Sequence, residues 1–153
     1  MQISLPALIV LVVILIPNLL FIFFPPRNIP GQLKDGGVLL NIFEHGGRII
    51  FFVLFLFCSN TNVPTEPNPL LFLAILFTVL YELLWLRYFI NQRAFHYLYK
   101  SVAGIPVPMA LFPISAFLFA AIGLGAFWAL IPLLAFAAGH IINTWITAKQ
   151  LAS

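Results

Sequence analysis

Long apolar runs alternate along this chain with short stretches rich in proline, glycine and polar residues. A helix crossing a hydrocarbon core of about 30 Å needs roughly 20 residues, within a range of about 17–25. Residues 3–24, 38–57 and 70–90 each meet that length. The last apolar block, 107–146, is too long for one crossing, and Gly123, Leu124 and Gly125 divide it into helices over 108–122 and 127–146. The pattern predicts an all-α, polytopic integral membrane bundle of five transmembrane helices forming a single transmembrane domain over residues 1–153. The fourth helix is short, so four crossings plus a re-entrant hairpin is the alternative. Pro17, next to Asn18, predicts a kink in the first helix.

The connections support this division. Pro25, Pro26, Pro30, Gly31, Gly36 and Gly37 break helix after the first segment, and Pro64, Pro67 and Pro69 do so after the second. Residues 104–108 read Gly-Ile-Pro-Val-Pro, a stiff extended entry to the fourth helix. The first segment lacks the basic start and small-residue cleavage site of a signal peptide; Phe21, Phe23, Phe24, Pro25 and Pro26 follow it instead, so it reads as a retained helix.

Composition changes the picture in one respect: it names the solvent. The 153 residues are 63% hydrophobic and only 7% charged, against about 25% charged in soluble domains. So few charges cannot cover a water-facing surface. Charge placement then suggests orientation. Arg27, Lys34, Arg87, Arg93, Lys100 and Lys149 all fall on one side of a five-helix arrangement, and the excess of basic residues marks the cytoplasmic face. The expected topology has the N-terminus out and the C-terminus in. No N-x-S/T sequon occurs, which favours a prokaryotic or non-secretory-pathway protein, and the expected location is a prokaryotic cytoplasmic membrane. No basic run with interleaved polar residues is present, so nucleic acid is not an expected partner. The single cysteine, Cys58, excludes an internal disulfide and any multi-cysteine metal site.

Residues 91–102 differ from the helices. Phe95, Tyr97, Leu98 and Tyr99 alternate with Arg93, His96 and Lys100, a mixture suited to the headgroup layer. The segment is expected to lie at the interface, as an aromatic belt or as a lip that admits a lipid.

The candidate chemistry lies within the apolar segments, where ionisable groups are costly and therefore informative. Asn41, Glu44, His45 and Arg48 occupy the first half of the second helix. Glu82 stands eight residues before Ile90, and His140 six residues before Ile146. At about 1.5 Å per residue all three sets lie roughly 9–15 Å below the same boundary. Glu44 and Arg48 are spaced to pair on one helix face. Gly46 and Gly47 permit close helix approach or backbone opening there. Thr78, Tyr81, Glu82, Trp85 and Tyr88 share a face of the third helix. His140, Asn143, Thr144 and Thr147 form a polar stripe on the fifth. Glu82 has no basic residue one turn away, so either its partner comes from another helix or it stays protonated in the bilayer.

The reading that follows is a cytoplasm-facing polar pocket that binds a lipid or small amphiphile, with processing of that ligand as a further option and enzymatic activity left open. Glu82, His140 and His45 are the candidate proton-handling residues. Asn41, Glu44, Arg48, Tyr81, Trp85, Tyr88 and Asn143 are the candidate ligand-binding residues, with Arg48 on an anionic group. A divalent metal held by Glu44, His45, Glu82 and His140 is a weaker option, since no HExxH-type motif is present; no cofactor and no metal site is assigned. The expected partners are membrane lipids, with a homo-oligomer or a membrane-protein partner as further options. Two other functions fit the same residues: a component of a proton-coupled transporter or channel, and a non-catalytic subunit of a larger membrane complex.

Overall fold

A computed structural model of the chain describes residues 2–62 and 65–152. Pro64, one of the prolines expected to break helix after the second segment, lies outside the described residues. Five α-helices account for most of the rest: α1 (Leu5–Phe23), α2 (Val38–Cys58), α3 (Pro69–Ile90), α4 (Pro108–Gly123) and α5 (Leu130–Ala152). Short 3-10 turns cover Phe95–Leu98 and Phe127–Ala129. Four segments are long and apolar enough to cross a membrane: α1, α2, α3 and the run Phe127–Ala152.

Most bounds fall within two residues of the hydropathy pattern. The fifth helix departs from it. Expected over 127–146, it opens with a 3-10 turn and then runs six residues further, to Ala152. Polar contacts hold those extra turns, which apolar run length does not register. Thr147 Oγ1 donates to the Asn143 carbonyl (3.1 Å), and the Gln150 side chain exchanges hydrogen bonds of 2.8 Å with the backbone of Lys34.

Local chemistry sets the helix starts. The Ser4 hydroxyl accepts from Ala7 N (3.3 Å) and Asn68 Oδ1 accepts from Leu70 N (3.0 Å), each capping a helix with proline in its first turn. α1 is continuous through the buried Pro17. α4 starts at Pro108 after Val107, a buried β-branched residue held in the left-handed region at φ 40°.

The helices run alternately between two ends. At one end Ser4 N donates to Leu56 O (2.9 Å), Asn60 N to Leu124 O (2.8 Å) and Asn68 Nδ2 to Gly123 O (3.1 Å). These contacts join the start of α1, the end of α2, the start of α3 and the end of α4. At the other end Arg27 N donates to Arg93 O (2.9 Å), tying the first connection to the segment after α3. That second end carries Arg27, Lys34, Arg93, Lys100 and Lys149, and is the basic end. α4 passes from the basic end to the other end in only 16 residues. It manages this because residues 91–107 fold back into the bundle, with Phe95, Leu98 and Val107 buried, and so cover part of the depth themselves.

The core is aromatic and small-residue packed. Phe51 and Phe55 of α2 meet Phe117 of α4 with ring centres 5.1 and 6.1 Å apart. Ala116, Ala120 and Ala121 of α4 are fully buried. The exterior is equally apolar: Ile22 and Ile131 are each 70% exposed, and Phe72 63%. An apolar outside around a partly polar inside is the arrangement of a bundle solvated by lipid.

Candidate functional site

α2 and α5 pack backbone against backbone, and this close approach builds the polar centre. A Cβ on Gly47 would lie 2.6 Å from Phe136 N, and one on Gly139 would lie 2.5 Å from Glu44 N and 2.6 Å from Leu40 O. Two glycines on opposite helices thus admit each other's backbone, as small residues do in membrane helix pairs. Gly46, the other glycine of the pair noted in the sequence, has nothing within 4 Å of its Cβ position and plays no part in this approach.

The seam that results is filled by hydrogen bonds. His140 Nδ1 stands 2.9 Å from Glu44 Oε1. Because a carboxylate only accepts, the imidazole donates through Nδ1. Asn143 Nδ2 donates to Glu44 Oε2 (2.7 Å) and to Asn41 Oδ1 (2.9 Å), while Asn143 Oδ1 accepts from Gly36 N (3.0 Å). Asn41 Nδ2 donates to Asp35 Oδ2 (2.7 Å), which carries the network to the basic end. Glu44, Asn41, His140 and Asn143, all expected at the site, are therefore one connected unit.

Beside the seam lies a cavity of about 220 Å³. α1 contributes Asn18 and Phe21 to its wall, α3 Tyr81 and Trp85, and α5 His140 and Thr144. Leu98 and Tyr99 close it from the folded-back segment, and Met109 and Ala110 from α4. Asn18 Nδ2 donates to the Tyr81 hydroxyl (2.9 Å) and fixes its direction. The Trp85 indole packs edge-on to Tyr81, and its buried Nε1 makes no hydrogen bond of good geometry. His140 reaches this wall with Nδ1 engaged by Glu44 and with Nε2 free of any partner among the described residues. Burial, with the negative charge of Glu44 second, raises the Tyr99 phenol above its ordinary pKa, so it stays a hydroxyl donor.

Several expected residues fall elsewhere. Glu82 does not meet His140 or His45. It sits half-buried on the flank of α3, outside the cavity wall, with Oε1 buried and unpartnered; the carboxylate beside His140 belongs to Glu44. The anticipated Glu44–Arg48 pair is not formed. Arg48 Nη2 lies 3.0 Å from His45 Nδ1, both on the outer side of α2, while Glu44 turns into the seam. Arg48 and His45 therefore do not face the cavity. Tyr88 is fully buried, but its hydroxyl donates to Phe24 O (3.2 Å) and anchors the end of α1 away from the cavity. Arg87 extends to the interfacial segment and stacks on Tyr97 at 4.8 Å. Among the described residues no three His, Cys, Asp or Glu side chains gather as a metal site, so Glu44, His45, Glu82 and His140 do not form the metal-binding group weighed above.

The sequence reading missed Asn18, Tyr99 and Gly139. Asn18 had a visible signal, as a lone amide in a helix otherwise built of apolar residues and proline. Gly139 had another, as a glycine directly before the only histidine of α5. Tyr99 was visible only as part of the interfacial belt.

No protein-family model matches the chain, no curated protein matches it in sequence, and no solved structure matches it.

Proposed function

We propose that the protein is an integral membrane protein that binds a lipid or small amphiphile in the cavity between α1, α3, α4 and α5, and that Glu44 and His140 give it an acid–base group at the cavity wall. The basic end faces the cytoplasm, with the N-terminus out and the C-terminus in, and the setting is a prokaryotic cytoplasmic membrane. The observation that carries the reading is the wall itself. Apolar and aromatic side chains surround a few polar groups that converge on one space, as in small-molecule sites between bundle helices. Asn18 and Tyr81 orient a polar group of the ligand, Trp85 and Phe21 contact its apolar part, and His140 Nε2 is positioned to exchange a proton with it.

Native mass spectrometry of the full chain released from mild detergent tests this. A stoichiometric organic adduct is expected on the wild type and on Arg48→Ala, whose side chain lies outside the cavity. The adduct should be lost in Thr144→Trp, which fills the space. Bare protein in all samples, or an adduct indifferent to Thr144→Trp, refutes the reading.

One observation favours a second reading, that of a membrane subunit or homo-oligomer. Arg48, half-buried, and exposed His45 stand outside the seam near the middle of α2 and bond only to each other among the described residues, and lipid offers a guanidinium there no partner. A second protein at this face would supply one. A proton-coupled carrier remains the third function compatible with the buried, unpartnered Oε1 of Glu82.

A further inference from the structure

The basic end holds a second cavity, of about 380 Å³, bordered by His96, Lys100, Ser101, Trp145 and Lys149 and by Tyr99. Tyr99 also lines the inner cavity, so the two spaces adjoin at this residue. We infer that the outer cavity is an anion subsite for a phosphate-bearing headgroup, and that the ligand of the inner cavity is an anionic amphiphile whose apolar part passes Tyr99. This inference rests on the reading of the inner cavity given above.

Charge and partnering carry the argument. Lys100 and Lys149 are exposed, and neither has a carboxylate partner among the described residues. The chain has only four acidic side chains, and none borders this cavity. Glu44 is engaged by His140 and Asn143, Asp35 by Asn41 and Gly37 N, Glu66 lies in the connection at the opposite end, and Glu82 on the flank of α3. The lysines are instead held by aromatic faces: Lys149 over Trp145 at 5.4 Å and Lys100 over Tyr97 at 5.6 Å. Such contacts orient an ammonium group without neutralising it. Helix ends do not decide the sign here. The start of α4 and the last turn of α5 both border the cavity and contribute opposite partial charges. The two ammonium groups remain, with the Ser101 hydroxyl and the His96 ring as further donors. Trp145 provides an apolar wall on which the glycerol or linker part of a lipid can rest.

The shared chemistry is a phosphate group; it can come from a lipid headgroup or from free phosphate. The experiment titrates the full chain in mild detergent with dioctanoyl phosphatidylglycerol, dioctanoyl phosphatidylcholine and inorganic phosphate, using the wild type and Lys100→Gln/Lys149→Gln. Both lysines are exposed, so the double variant keeps the fold, which its thermal unfolding midpoint checks. The anionic lipid is expected to bind more tightly than the zwitterionic one, with roughly fivefold lost for each lysine and roughly thirtyfold for both. Phosphate competing with the anionic lipid only at far higher concentration identifies the lipid as the source. Phosphate binding alone, lost in the double variant, keeps the anion subsite but overturns the amphiphile. Equal affinity for both lipids, or a preference unchanged by the double variant, overturns the subsite while leaving the inner cavity as a binding site. Binding of none of the three probes overturns both.

Discussion

The α2–α5 seam and the cavity beside it are built from similar residue types and treat them in opposite ways. In the seam, the side chains of Glu44, Asn143 and Asn41 find partners between 2.7 and 2.9 Å, and two glycines bring the backbones together around them. At the cavity, Trp85 Nε1 is buried without a hydrogen bond of good geometry, and His140, whose Nε2 has no partner among the described residues, lines the wall. Away from water an unpaired donor costs on the order of 1–3 kcal/mol. A satisfied network therefore reads as architecture, and unsatisfied groups around a void read as a place for something else. His140 belongs to both regions, with Nδ1 held in the seam and the residue lining the cavity, and under the proposed function it links packing to the ligand.

The comparison is broken most severely at the glycines. Gly139→Leu and Gly47→Leu drive a side chain into the backbone of the facing helix, which has no flexible end to move aside. Each is expected to destabilise the bundle by about 3 kcal/mol or more. Gly46→Leu, one position along, points into open space and should change stability by less than about 0.5 kcal/mol. Denaturation in mixed micelles measures all three. Equal losses at Gly46 and Gly47 would mean that α2 is rotated from the position described.

A smaller effect separates the two carboxylates. A double-mutant cycle with Glu44→Gln and His140→Gln should show a coupling of about 1–2 kcal/mol, in the range of interhelical hydrogen bonds in membranes. The same cycle with Glu82→Gln in place of Glu44→Gln should be additive to within about 0.5 kcal/mol. A larger coupling to Glu82 than to Glu44 would reinstate the proton pair expected from depth along the chain.

These two tests also mark where the sequence was legible. Run length and proline placement disclose the helices, because both act locally along the chain. Depth was legible too: Glu44 and His140, placed in one layer by counting residues, do meet. Azimuth was not. Residues four apart on a helix differ by roughly 40° around its axis, so spacing alone allows Glu44 and Arg48 to pair. The seam between Gly47 and Gly139 admits Glu44 and leaves Arg48 outside it, and only the facing helix determines that. Glu82 shows the same limit. Its lack of a local partner correctly implied a partner elsewhere or none, but nothing in the order of residues told which. In the sequence, Asn18 beside Pro17 suggests only a kink, although an amide at that depth needs a polar partner. The partner, Tyr81, lies 63 positions away.

The mildest change in the fold is expected at Arg48, and it bears most directly on the subunit reading. Among the described residues its one polar contact is His45 on the same helix, and it borders neither seam nor cavity. Arg48→Leu should therefore alter monomer stability by less than about 0.5 kcal/mol and leave the amphiphile adduct in place. An intramembrane guanidinium facing outward is nonetheless expensive unless something meets it or its long stem carries it to the interface. The mid-helix position of Arg48 and the hydrogen bond that ties it to His45 both oppose snorkelling. The expected outcome is that Arg48→Leu dissolves an assembly present in the native membrane, read as a loss of mass on size-exclusion light scattering after gentle extraction. An unchanged mass, with stability also unchanged, would mean that the side chain reaches the headgroups after all. The outer face of α2 would then be a lipid surface like those of α1 and α3.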